Sequence, residues 1–477
     1  MIDFELDKIT KGIVSGLLGN ILNITQKIIF VPIFIKYLGT DTYSTWLQLL
    51  SIVSFFSLLD LGSSQAIIGT LQKNLGNKFR VEKKVLSYII FFFLFPAIIF
   101  FLILLVLIFN IGFLEKFFLI SRTYYSVFII LLFHTIISIT LSILINFYAS
   151  INFFYKSNLI ANFYLFLQLV LSALLLLFNF GIFAISVSYL AQSIIFILII
   201  LNNIAKNYKI NFFNFQKFDF IEIKKIVRKS VHFICLNLYN LLSSQGFILI
   251  FSVLSNSINL IIYSSLKTLT SFLAQLTSLL FSSIWFNISK LYKHQSKLKF
   301  NKFFIIFFQI SNFNSLFSGL LLAYFGQSVI IIWIGNQFIF SNFFLHLIIS
   351  SMITNNMILT LIYYFQARYK LHLISLSLIF YGIAKVILFY FVFKISNADN
   401  SFLLQILLDI FFILYLLSRI YFENLSKFFL KTIFNDILIL NIFIVLILFD
   451  SILVYFVFLF YIIRVSINLK YENYKNS

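Results

Sequence analysis

A dozen apolar runs, each near the roughly 20 residues that cross a bilayer, follow one another along this chain with only short polar connections between them. They fall near 12–36, 43–69, 85–109, 124–150, 158–179, 182–205, 231–254, 258–286, 303–326, 343–366, 372–394 and 400–421. A last apolar stretch, 436–468, is interrupted by Asp450 and reads as one long helix or a tight pair. Backbone amides in hydrocarbon must be satisfied within their own segment, which leaves helices for runs of this length. Of 477 residues, 61% are hydrophobic and only 10% charged, against about 25% charged in soluble domains. The chain is therefore expected to be an all-α integral membrane protein of 12–14 spans.

The net charge of +20 resembles a nucleic-acid signal until the bases are placed. Counted from an internal N-terminus, Lys36, Lys116, Arg122 and Lys394 are the bases on the outer side, and Lys27, Lys267 and Lys385 lie within spans. The rest of the 35 lysines and arginines flank the inner ends. That asymmetry is the positive-inside pattern. It puts both termini in the cytoplasm, favours an even number of spans, and leaves no folded basic domain for nucleic acid.

The longest inner connection, Lys206–Ser230, interleaves aromatics with a basic turn and suits the membrane interface. It separates six spans from six, so both halves start on the same side, as in parallel-repeat transporters. The expected organisation is an N-terminal six-helix bundle (1–205), an interfacial linker (206–230), a C-terminal six-helix bundle (231–435) and a terminal helix or helix pair with its tail (436–477). A shift of 220 residues aligns Tyr43 with Tyr263, Leu71 with Leu291 and Lys73 with Lys293, a faint trace of that repeat.

Outer connections are short: Tyr37–Thr42, Asn110–Thr123, Phe180–Gly181, Ser255–Ser257, Gly326–Asn342 and Ile395–Asp399. An enzyme that builds or polymerises sugars at the outer face needs a larger loop to hold its acids and bases. The five histidines are scattered, and no metal-ligand spacing or phosphate-cradling glycine loop occurs. The single Cys235 excludes an internal disulfide. Transport without a cofactor or metal, rather than catalysis, is the expectation.

Gly39–Gly69, which holds Asp60 deep in an apolar run, carries a family likeness. The stretch YLGTDTYSTWLQLLSIVSFFSLLDLGSSQA (Tyr37–Ala66) resembles the helix 1–2 region of polysaccharide and O-antigen repeat-unit flippases of the MATE-like multidrug/oligosaccharidyl-lipid/polysaccharide exporter superfamily. IIYSSLKTLTSFLAQLTSLL (Ile261–Leu280) and IIIWIGNQF (Ile330–Phe338) fit as well. At Lys267 this chain departs from the many relatives that carry arginine. The resemblance implies two six-helix bundles around a central cavity, working by alternating access in the bacterial cytoplasmic membrane. It implies a substrate too, an oligosaccharide repeat unit of O-antigen or capsule type on undecaprenyl diphosphate. A polysaccharide polymerase and chain-length machinery are the protein partners it suggests.

Ionisable groups inside spans cost roughly 2.5–3.5 kcal/mol each on insertion scales and mark functional sites by default. Lys27, Asp60, Lys267, Lys385 and Asp409 are such groups. At about 1.5 Å per residue, Lys385 and Asp409 reach nearly the same depth, while Lys27 and Asp60 differ by about 8 Å. Each pair reads either as a structural salt bridge or as part of a cationic cavity for a diphosphate. Lys267 has no acid within a helical turn in sequence and is the foremost candidate for that diphosphate, because lysine serves as a point charge for phosphate. Asn20, Asn23, Gln26 and Gln245 are candidates for sugar hydroxyls, or else for interhelical hydrogen bonds. His134 reads as a satisfied buried histidine. Tyr43, Trp46, Tyr124, Tyr125 and Trp333 read as an outer aromatic belt. Two other readings stay open: an ion-coupled drug or metabolite exporter of the same fold, and a membrane enzyme of polysaccharide assembly.

Overall fold

The computed structural model describes residues 2–60, 98, 120–150, 153–208, 220–271, 297–368, 370–421, 427–449 and 453–474. Among these there is no strand, and nine helices are long and apolar enough to cross a membrane. The protein is a multi-pass, all-helical membrane protein. Apart from residue 98, the expected span 85–109, with Pro96, lies outside the described residues.

Helix α1 (Ile2–Phe55) passes through Pro32 and reverses at Gly39, whose φ of 77° and ψ of 169° leave the helical region. That conformation is open essentially to glycine alone, so the outer turn expected over Tyr37–Thr42 contracts to one residue. Beyond Phe55 the chain tightens into a 3₁₀ turn, Phe56–Asp60. Helices α2 (Tyr125–Ser150), α3 (Phe154–Leu177) and α4 (Gly181–Tyr208) follow. Asn179 (φ 59°) and Gly181 (φ 71°) make the tight turn between α3 and α4.

The seventh expected span begins earlier than its apolar run. Helix α5 (Phe220–Leu241) starts within the basic linker, passes through a π turn at Leu242–Gly246, and continues as α6 (Phe247–Leu254). After Ser255 the chain re-enters a helix, α7 (257–271), with the Asn256 side chain accepting a hydrogen bond from Asn259 N.

Helix α8 (Lys297–Ile334) has 38 residues and runs about two turns past its apolar run at each end. It stops at Gly335 (φ 110°), so the outer connection expected over Gly326–Asn342 shrinks to 335–341. Ser341 then caps α9 (Asn342–Ala367) by accepting from Phe344 N at 3.1 Å. Helices α10 (Ser375–Ile395) and α11 (Ala398–Tyr421) follow. The last apolar stretch is a helix pair, α12 (Lys427–Leu448) and α13 (Leu453–Tyr474).

The chain divides into two compact units, Met1–Leu260 and Ile261–Ser477. In unit 1, α1 packs on α3 and α6, and α2 on α4. Gly19 allows the first of these, since the Asn162 side chain fills the space a Cβ would take. In unit 2, α9 is the central helix, packed on α8, α11 and α12. It presents buried Ser350, Thr354, Asn356 and Thr360 within an otherwise apolar sequence.

Candidate functional site

The intramembrane polar residues gather into separate clusters within each unit. In unit 2, Lys385 on α10 meets Asp409 on α11, with Nζ 2.8 Å from Oδ1 and side chains only 2% and 0% exposed. The depth matching expected from sequence thus corresponds to a direct ion pair. Thr354 Oγ1 on α9 donates to Asp409 Oδ2 at 2.6 Å, and the Tyr381 hydroxyl donates to Oδ1. Tyr381 stacks on Phe412 with ring centroids 4.0 Å apart, and Lys385 Nζ lies 5.7 Å from the Tyr381 ring centre. Three donors around one carboxylate meet the requirement for burying a charge, pairing plus hydrogen bonds.

Lys267, on α7, is half-buried. Its Nζ lies 3.5 Å from the Tyr263 hydroxyl and 5.4 Å from that ring's centre. The two residues are one turn apart, so the helix itself sets the contact. Tyr263 is held in turn against Phe402 at 5.9 Å. The result is a cation beside the hydroxyl edge of a tyrosine, within cation–π range of its ring.

The other predicted residues belong to unit 1. Gln245 lies in the π turn and its Oε1 accepts from Ser51 Oγ at 3.0 Å, tying α1 to the turn. Asn23 Nδ2 donates to Gly19 O at 2.9 Å, within its own helix. Gln26 is half-buried on α1, and Asp60 closes the 3₁₀ turn, also half-buried. The side chains of Asn20 and Lys27 lie outside the described residues, as does any pairing of Lys27 with Asp60.

Elsewhere in unit 1, Ser257 Oγ donates to Asp41 Oδ1 at 2.7 Å, joining the Gly39 turn to the chain that follows α6. His134 Nε2 lies 3.2 Å from the Tyr164 hydroxyl, which lies 2.8 Å from Ser193 Oγ. Ser193 in turn donates to Tyr189 O at 3.0 Å. This is the satisfied histidine that the sequence suggests. Tyr43 and Trp46 correct the belt expectation. They are buried, packed with Phe34 at 5.7 and 5.9 Å, and Trp46 sits 6.1 Å from Tyr189. The one-residue turn at Gly39 folds this limb back onto α1 and draws both rings inside.

Two groups escape a reading based on isolated charges. One is a neutral seam between α8 and α9: Ser311 Oγ meets Thr360 Oγ1 at 2.9 Å, and Asn356 Nδ2 donates to Ser311 Oγ at 3.2 Å and to Ser315. The run Ser350–Asn356 inside an apolar span is its only trace in sequence. The other is an ion pair between Asp436 and Arg464 in the terminal helices. Among the described residues no group of three His, Cys, Asp or Glu side chains could hold a metal ion.

The same arrangement of helices occurs in solved transporters. A multidrug-resistance MATE transporter of the MOP superfamily, in an inward-facing conformation, superposes with a TM-score of 0.64 at 11% identity, covering 84% of this chain and 94% of that one. The chain has the MATE fold. A eukaryotic MATE transporter matches at 0.64 and 12% identity over 91% and 98% of the two chains. The lipid II flippase MurJ matches at 0.64 and 15% identity over 94% and 97%. No protein-family profile matches the sequence, and no curated protein matches it. The MATE fold thus hosts both drug transporters and a lipid flippase, and the choice between them rests on the chemistry of this chain's own residues.

Proposed function

We propose that this protein is a flippase that moves a lipid-linked oligosaccharide from the inner to the outer leaflet of the bacterial cytoplasmic membrane by alternating access. Its cargo is an O-antigen or capsule repeat unit on undecaprenyl diphosphate, and both termini lie in the cytoplasm. The observation that carries this reading is Lys267, a half-buried membrane cation seated on Tyr263. Lysine binds phosphate as a point charge, and a diphosphate is the part of such a cargo that needs one. Lys27, which the family resemblance places beside it in role, is the second cation. Asn20, Asn23, Gln26 and Gln245 supply amides for sugar hydroxyls, and Asp60, the first residue of the family's Asp-Leu-Gly unit, ends the turn Phe56–Asp60. Lys385 and Asp409 complete the proposed set, as a neutralised pair.

Support also comes from length. The likeness to MurJ covers 94% of this chain, more than either MATE transporter described above. A polysaccharide polymerase and chain-length machinery are the partners this role brings with it.

A second reading, an ion-coupled drug or metabolite exporter, is favoured by the equal TM-scores to MATE transporters. The two separate in one experiment. Lys267→Ala is expected to abolish surface polysaccharide while the protein remains inserted in the membrane. Normal polysaccharide display in that variant would overturn the assignment of the cation to the cargo.

A further inference from the structure

Each of the last two helices carries a charge near one end of its apolar stretch. Asp436 lies nine residues into α12 and Arg464 ten residues from the end of α13, about 14–15 Å along antiparallel axes, so they reach the same level. Arg464 Nη2 sits 3.1 Å from Asp436 Oδ1, with side-chain exposures of 20% and 1%, and donates to Thr432 O at 3.4 Å. A third helix joins them. Gln309 Nε2 on α8 donates to Asp436 Oδ2 at 3.4 Å, and the Tyr461 hydroxyl donates to Gln309 O at 3.3 Å.

Packing above the charges repeats the same docking. Phe458 of α13 stacks on Phe313 and Phe317 of α8, with centroids 5.7 and 6.3 Å apart. A Cβ on Gly319 of α8 would stand 3.6 Å from Phe443 of α12 and 3.3 Å from both Ile349 and Ile353 of α9. Glycine there lets three helices close up.

We propose that α12 and α13 enter the membrane as a charge-matched hairpin and dock on α8 as an integral part of unit 2, selected by the Asp436–Arg464–Gln309 clasp. Either helix alone would carry an uncompensated ion into hydrocarbon. Together the Asp436 and Arg464 side chains neutralise one another and present one carboxylate oxygen to Gln309. The role is independent of what the protein transports.

The test uses the full-length chain with Cys235→Ala and cysteines at Phe313 and Phe458, joined by a short bis-maleimide in native membranes. Asp436→Leu and Arg464→Leu, singly, are expected to lower the cross-linked fraction roughly tenfold or more, since each strands a buried charge. The double neutral variant and the exchange Asp436→Arg/Arg464→Asp are expected to recover most of it. Single variants that fail to accumulate count as the expected loss of insertion, and recovery in the double and exchanged chains then decides. Singles that cross-link like the parent, or a double neutral variant as poor as the worse single, would overturn the clasp.

Discussion

Lys385 Nζ stands 2.8 Å from Asp409 Oδ1 with both side chains sealed inside unit 2, and the two residues do not bear the pair equally. Asp409 also accepts from Thr354 and Tyr381, so it retains two hydroxyl donors if the lysine is removed. Lys385 keeps the Tyr381 ring 5.7 Å from its Nζ, a weaker partner for a buried cation than a carboxylate. Breaking a buried pair from one side costs about 3–5 kcal/mol. Asp409→Asn is therefore expected to be more destabilising than Lys385→Met, and the double variant milder than either. Thermal unfolding of the four proteins in detergent measures the coupling; purely additive losses would argue against a paired role.

Gly39 gives a backbone prediction. Its φ of 77° and ψ of 169° belong to a region that side-chain-bearing residues enter at a cost of about 1–3 kcal/mol. Nothing lies within 4 Å of a Cβ built there, so Gly39→Ala reports conformation alone. A loss of stability within that range is expected in denaturant titration, and an unchanged midpoint would mean the turn has relaxed into ordinary geometry.

The Ser257–Asp41 hydrogen bond, 2.7 Å long, lies within unit 1. Cysteines at 41 and 257 in a Cys235→Ala chain are expected to cross-link with a short bis-maleimide and to leave transport within about twofold of the parent, because both belong to one compact unit. Transport at background in the cross-linked protein would show that the two turns part during the cycle.

Legibility in the sequence followed the physics of each signal. Apolar length reveals the order of spans, because a helix of about 20 apolar residues suits the hydrocarbon. Lys385 and Asp409 can be matched because each is the one charge in the middle of its span, where helical rise converts spacing into depth. The same arithmetic misses Asp436 and Arg464, which sit at the edges of the apolar run 436–468 and pass for cytoplasmic flanks. Helix ends run further than hydropathy shows: α8 continues to Ile334, and α5 begins at Phe220. Tyr43 and Trp46 look like interfacial aromatics from composition, but a single-residue turn takes them into the core. Uncharged Asn356, Thr360 and Ser311 carry no sequence signature beyond polarity, since their pairing depends on which faces of α8 and α9 meet.

Lys267 carries the functional proposal, and reconstitution examines it most directly. The protein in lipid vesicles, supplied with an undecaprenyl-diphosphate-linked oligosaccharide on one leaflet, is expected to deliver its sugars to the opposite leaflet, as read by a lectin. Lys267→Ala, equally folded and inserted, is expected to fall at least about tenfold, the loss that follows from removing one charged phosphate contact of about 1.5–3 kcal/mol. An unchanged rate in Lys267→Ala, or a parent protein that leaves the lipid in place while exporting an organic cation, would contradict the account.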